Sequence, residues 1–84
     1  MKTITIYSKP NCQQCNATYR WLDKRGITYK VEDARQPDHN EAIKALGYLQ
    51  VPVIIVSTGD PETDLHWSGF RPDNLDRYCL EVAP

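Results

Sequence analysis

Between Thr3 and Val31 the apolar pattern changes period twice, and few folds accommodate that change. Thr3 to Tyr7 is β-branched and aromatic, with Ile4 and Ile6 on one face, as a strand requires. Lys9-Pro10 breaks it. Asn11 suits a helix N-cap, and Gln14 three residues on answers it as in a capping box. A helix is expected to about Arg25, where Gly26 supplies the left-handed position beyond the cap. Lys24 and Arg25 suit the negative helix end. Cys15, Thr18, Leu22 and Arg25 fall on one stripe, which sends Leu22 inward and half-covers Cys15. Ile27 to Val31 then reads as a second short strand. Strands joined through a helix pair in parallel by a right-handed crossover, so the loop after the first strand lies at its carboxyl end.

The remaining residues extend this pattern. Pro37-Asp38 followed by Glu41 opens a second helix, with Ala42, Ile43 and Leu46 as its inner face and Gly47 as its end. Val51 to Val56 is apolar at nearly every position, as in a strand covered on both faces, and its leading proline fits a strand start. Thr58-Gly59-Asp60-Pro61 is turn chemistry, so a hairpin returns through about Asp64 to Trp67. Ser68 to Arg71 is a loop. Pro72 fits a first helical position, and Leu75, Tyr78, Cys79 and Val82 follow at helical spacing. The order β-α-β-α-β-β-α implies an α/β fold with a four-stranded mixed sheet covered by three helices.

Size and charge narrow the functional classes. The 84 residues suffice for one domain, residues 1–84, and the 40% apolar and 25% charged content is that of a globular chain. A net charge of -1 argues against a dedicated nucleic-acid binder. The charge is uneven: residues 1–30 carry six cations against Asp23 alone, whereas residues 43–84 carry three cations against six acids. No secretory signal pattern is visible and no apolar run is long enough to span a bilayer, so a cytoplasmic address without membrane contact is expected.

Three cysteines cannot form a closed disulfide framework, and Cys12 with Cys15 forms a C-x-x-C. In a cytosolic protein that spacing indicates redox chemistry or metal binding more often than a structural staple. A closed zinc site needs four ligands, and Cys79, His39 and His66 are the only other cysteine or histidine candidates, with no paired spacing among them. Placement favours redox chemistry. Cys12 stands at a helix N-terminus, where free amide N–H groups and the positive dipole end favour the thiolate, and Lys9 lies three residues upstream. On this reading Cys12, in the first turn, attacks a substrate disulfide, and Cys15, one turn further in, resolves the mixed disulfide. Cys79, on the apolar stripe of the last helix, reads as a buried inert thiol.

Cys12-Gln13-Gln14-Cys15 after a strand, Val51-Pro52 before an apolar strand, and Trp67-Ser68-Gly69-Phe70-Arg71-Pro72-Asp73 together resemble the NrdH-type redoxins. These are small glutaredoxin-like proteins of the thioredoxin superfamily. The resemblance includes Ala17-Thr18, Arg25-Gly26 and Ala45-Leu46-Gly47-Tyr48, and the Trp67 to Asp73 segment is its most specific part. It implies a thioredoxin/glutaredoxin-like fold and a monomeric thiol-disulfide oxidoreductase acting as electron donor. The implied partners are the large subunit of class Ib ribonucleotide reductase as acceptor and thioredoxin reductase as source, with no cofactor or metal. Cys12 and Cys15 would be the redox pair. Pro52 would be a cis-proline beside them, with the Val51 backbone pairing to a substrate peptide near Lys9. Trp67, Ser68, Gly69 and Phe70 would fill the area that glutathione occupies in ordinary glutaredoxins.

The chain departs from the family pattern at Gln13, where a small apolar residue is usual, and in a longer, more acidic Ser57 to Leu65 hairpin. Two alternatives belong to neighbouring classes. A glutathione-dependent glutaredoxin usually carries Gly-Gly and an acidic residue where this chain has Ser68-Gly69-Phe70. A C-x-x-C metal carrier typically offers Met and Gly before its first cysteine, where this chain has Pro10-Asn11.

Overall fold

The computed structural model describes residues 2–60 and 64–80. Strand β1 (Thr3–Ser8) leads into helix α1 (Gln13–Lys24), strand β2 (Lys30–Asp33), helix α2 (Pro37–Ala45) and strands β3 (Val53–Ser57) and β4 (Leu65–Ser68). A final helix begins with one α turn, Pro72–Asn74, and widens into π turns over Leu75–Cys79. The sheet runs β2-β1-β3-β4, with β1 and β2 parallel and the other pairs antiparallel. This is the thioredoxin-like arrangement expected from the sequence.

Alternation along β1 and β3 divides the core between two faces. Ile4, Ile6, Ile54 and Val56 meet Leu22 and Ile27 from α1 and its exit, Trp67 from β4, and Leu75 and Cys79 from the last helix. On the other face Val53 meets Ile43 from α2, with Ala34 beside it and Tyr7, Tyr48, Val51 and Ile55 packed around. The apolar run at the start of β3 is thus explained by cover on both sides.

Helix α1 ends as the sequence implied. Gly26, at φ 66°, lets its own N–H reach the Asp23 carbonyl at 3.1 Å, while Ile27 N–H reaches the Leu22 carbonyl at 3.1 Å. That pair of bonds closes the helix, and the buried Leu22 and Ile27 side chains accompany it. Gly47 and Tyr48 end α2 by the same two bonds, to Lys44 and Ile43.

Several local expectations shift. The N-cap of α1 is Cys12 rather than Asn11, which takes φ 60° in the turn before it, a conformation that asparagine tolerates. Strand β2 begins at Lys30, because Ile27 is committed to closing α1. Of the residues expected to line α2, only Ile43 is buried; Ala42 and Leu46 face outward, and Tyr48 and Val51 complete that side of the core. Pro61 and Val82 lie outside the described residues.

These placements predict opposite outcomes for two leucines. Leu22→Ala, at a fully buried position, is expected to destabilise by about 3 kcal/mol in urea denaturation, within the range for a core leucine. Leu46→Ala, at a 40% exposed position, is expected to change stability by less than about 0.5 kcal/mol.

Candidate active site

Strand β1 delivers the chain to the N-terminus of α1 at the carboxyl edge of the sheet, where Cys12 and Cys15 are joined in a disulfide with their Cα atoms 5.2 Å apart. Cys12 caps the helix with its own sulfur: Sγ accepts the Cys15 backbone N–H at 3.2 Å. Both are buried, Cys12 at 9% exposure and Cys15 at 1%, so Cys12 is the more accessible of the two. One turn deeper, the buried Thr18 hydroxyl donates to the Gln14 carbonyl at 2.9 Å and leaves no unpaired polar atom under the dithiol.

Two further segments connect to the cysteine turn through hydrogen bonds. The Val51-Pro52 peptide is cis, and Pro52 is buried at the start of β3. The loop after β4 is tied to this segment twice: Gly69 N–H donates to the Pro52 carbonyl at 2.8 Å, and Ser68 Oγ donates to the Gln50 carbonyl at 3.0 Å. A third tie comes from between the cysteines. Gln14 Oε1 accepts the Phe70 N–H at 2.9 Å across a separation of 56 residues. Gly69 sits at φ 90°, and a Cβ there would stand 3.1 Å from Gln14 Oε1, so glycine is what allows the glutamine to reach over the loop.

The proposed site residues separate into groups. Cys12, Cys15, Pro52, Ser68, Gly69 and Phe70 share one edge through the bonds above. Lys9 and Val51 line an open cavity of about 430 Å³ beside that edge, with Ala34, Arg35, Asn40 and Leu49. Trp67 is buried at 6% exposure with its ring centroid 6.0 Å from that of Tyr78, so it anchors the loop from the core. Its Nε1–H finds no acceptor among the described residues. Arg71 holds Asp73 through a bidentate pair at 3.0 and 3.2 Å. Sequence reasoning assigned Gln14 to local capping and missed its contact with Phe70, for which no local pattern exists.

Tyr7 packs edge-on against His39 with centroids 5.3 Å apart. The Asp33 carboxyl is held down at about 2 by hydrogen bonds from the Arg35 side chain and backbone. Burial pushes the Cys79 thiol up to about 11, which keeps it protonated at neutral pH and apart from the exchange chemistry. Among the described residues no three His, Cys, Asp or Glu side chains converge as a metal site would need, and no helix is long and apolar enough to cross a membrane.

A dithiol opening the first helix of this sheet, flanked by a cis-proline and a glycine loop, defines the redox proteins of the thioredoxin superfamily. The comparisons narrow the class. Residues 4–59 match the glutaredoxin family pattern. The glutaredoxin-like protein NrdH of Escherichia coli K12 is 43% identical over 82 residues, spanning 96% of this chain and 91% of the relative. The NrdH of Lactococcus lactis subsp. cremoris is 34% identical over 77 residues, spanning 90% and 99%. The solved structure of Escherichia coli NrdH-redoxin superposes with a TM-score of 0.80 at 41% identity, covering 98% of this chain and 99% of that one. The glutaredoxin of Archaeoglobus fulgidus, at 19% identity and a TM-score of 0.68, covers 93% and 86% and shares the fold. The chain therefore belongs to the glutaredoxin family, among its NrdH-type redoxins.

The Gln14 bond carries a direct test. Gln14→Ala leaves the Phe70 N–H without its acceptor and is expected to cost about 1 kcal/mol in denaturant unfolding. Amide hydrogen exchange at Phe70 should accelerate, while exchange at Ile54 in the sheet centre changes only by the global loss of stability.

Proposed function

We propose that the protein is a cytoplasmic dithiol electron donor that reduces a disulfide in a partner protein, with Cys12 as nucleophile and Cys15 as resolving thiol. The observation that carries this reading is the position of Cys12 Sγ at the N-cap of α1, accepting the Cys15 amide. In the reduced protein the same amide and the positive helix end favour a Cys12 thiolate over the thiol. Attack by that thiolate on a substrate disulfide forms a Cys12–substrate bond and expels one substrate sulfur as a thiolate, which takes up a proton. Cys15 then loses its proton and attacks Cys12 Sγ, which releases the second substrate thiol. Two electrons and two protons have passed to the substrate, and the Cys12–Cys15 disulfide remains.

The family points to class Ib ribonucleotide reductase as acceptor and thioredoxin reductase as the source of electrons. Two features support that choice over glutathione. The Phe70 N–H beside the dithiol already has Gln14 as its acceptor, so it is not free for a glutathione carboxylate. The Escherichia coli relative is a glutaredoxin-like protein with a thioredoxin-like activity profile. On this reading the Val51 backbone pairs with the substrate strand and Lys9 flanks it.

NADPH consumption with insulin as disulfide substrate tests the proposal, with thioredoxin reductase in one arm and glutathione plus glutathione reductase in the other. Turnover is expected with thioredoxin reductase and not with glutathione, and Cys12→Ser should fall to background. Cys15→Ser should accumulate a mixed disulfide visible by mass spectrometry. Turnover with glutathione alone would assign the protein to the glutathione-dependent glutaredoxins. No turnover in either arm would overturn the dithiol reading.

A further inference from the structure

The dithiol edge continues onto a second surface that the redox chemistry does not use. From Gln14 a stripe runs down the outer side of α1 through Ala17, Trp21 and Lys24, at spacings of three, four and three residues, which keeps it on one helical face. With Phe70 above it and Arg20 and Arg25 at its sides, this stripe forms an open groove of about 750 Å³. Trp21 and Phe70 are half-buried, and Ala17 leaves the floor low between them. The Arg25 guanidinium lies 3.7 Å from the Trp21 ring centroid, and its Nη1 donates to the Trp21 carbonyl at 3.0 Å. That stacking fixes the indole and one cation before any partner arrives, which lowers the ordering cost of binding.

The charge of this groove is one-sided. Among the described residues no carboxylate forms an ion pair with Arg20, Lys24 or Arg25. The single acid on the wall, Asp23, accepts a hydrogen bond from the Tyr29 hydroxyl at 2.9 Å. A preorganised aromatic floor bordered by Arg20, Lys24 and Arg25, none of them in an ion pair among the described residues, is complementary to apolar side chains interspersed with carboxylates. The groove begins at Phe70, whose amide is bonded to the residue before Cys15. A segment seated there is therefore continuous with the exchange site.

We infer that the outer face of α1, from Phe70 to Lys24, docks an acidic segment of the protein that exchanges disulfides with Cys12, with apolar side chains of that segment packed on Trp21 and Phe70. The inference rests on the dithiol reading above and adds the chemistry of the partner surface. A long polyanion such as nucleic acid fits less well, because the cationic band is short and the chain beyond residue 42 is acidic.

The test uses the oxidised protein, so binding is read without turnover. The probe is an acetylated peptide of alternating glutamate and leucine, with a second peptide carrying glutamine in place of glutamate as its control. At low salt the glutamate peptide is expected to shift the Trp21 indole N–H and the Ala17 and Phe70 amide resonances saturably, and the glutamine peptide to bind at least about tenfold more weakly. Arg20→Glu with Lys24→Glu should weaken the glutamate peptide about tenfold or more, and the milder Arg20→Gln with Lys24→Gln should fall between, with native spectra for both. The inference is overturned if the two peptides bind alike, if charge reversal changes nothing, if no shifts appear, or if they centre on Lys9 and Arg35. A single-stranded oligonucleotide that shifts the same resonances more strongly than the peptide would also overturn it. The insulin assay on the same wild-type preparation separates a failed docking surface from a failed redox reading.

Discussion

The hydrogen bond from the Cys15 amide to Cys12 Sγ is the contact around which this molecule is arranged. It makes a reactive sulfur serve as the N-cap of α1, a position usually held by a hydroxyl or carboxylate oxygen. For the bond to form, the helix must begin immediately after Cys12, and its register must be fixed from the far end. Leu22, Gly26 and Ile27 supply that register by closing α1 against the sheet. The parallel pairing of β1 with β2 then sets the edge of the sheet at which the sulfurs emerge.

Around that contact the site is held by side chains and backbone groups that do no exchange chemistry. Gln14 links the cysteine turn to the loop after β4, and Gly69 and Ser68 link the same loop to the Pro52 segment. Three segments distant in sequence thus form one rigid rim, with Trp67 rooted in the core beneath it. Within this rim the Phe70 N–H beside the dithiol is already bonded to Gln14. The cationic groove along α1 extends the rim on one side, and the Lys9 cavity lies on the other.

Much of the fold was legible because its signals are local. The change of period from β1 to α1, the Gly26 terminator, the turn chemistry after Val56 and Pro72 at a helix start each depend on a few adjacent residues. The C-x-x-C was legible as a site for the same reason. What the sequence did not reveal depends on tertiary contact. Gln14 read as a capping partner because its true partner, Phe70, is 56 residues away. Leu46 read as core because helical spacing alone cannot show that Tyr48 and Val51 fill the face it would have covered. Trp67 was expected to help fill the area that glutathione occupies in ordinary glutaredoxins, and its burial follows from β4 lying at the sheet edge under the last helix.

The central claim is that Cys12 is the reactive thiolate of the reduced protein while Cys79 is inert. Its most direct measurement is the iodoacetamide alkylation rate of each cysteine as a function of pH, read by mass spectrometry of the reduced, folded protein. Cys12 is expected to react first, with a half-maximal rate below the ordinary thiol value of about 8.5. Cys79, held protonated by burial, should react only after denaturation. Alkylation of Cys15 ahead of Cys12, or a Cys12 profile no different from that of a free thiol, would contradict the account.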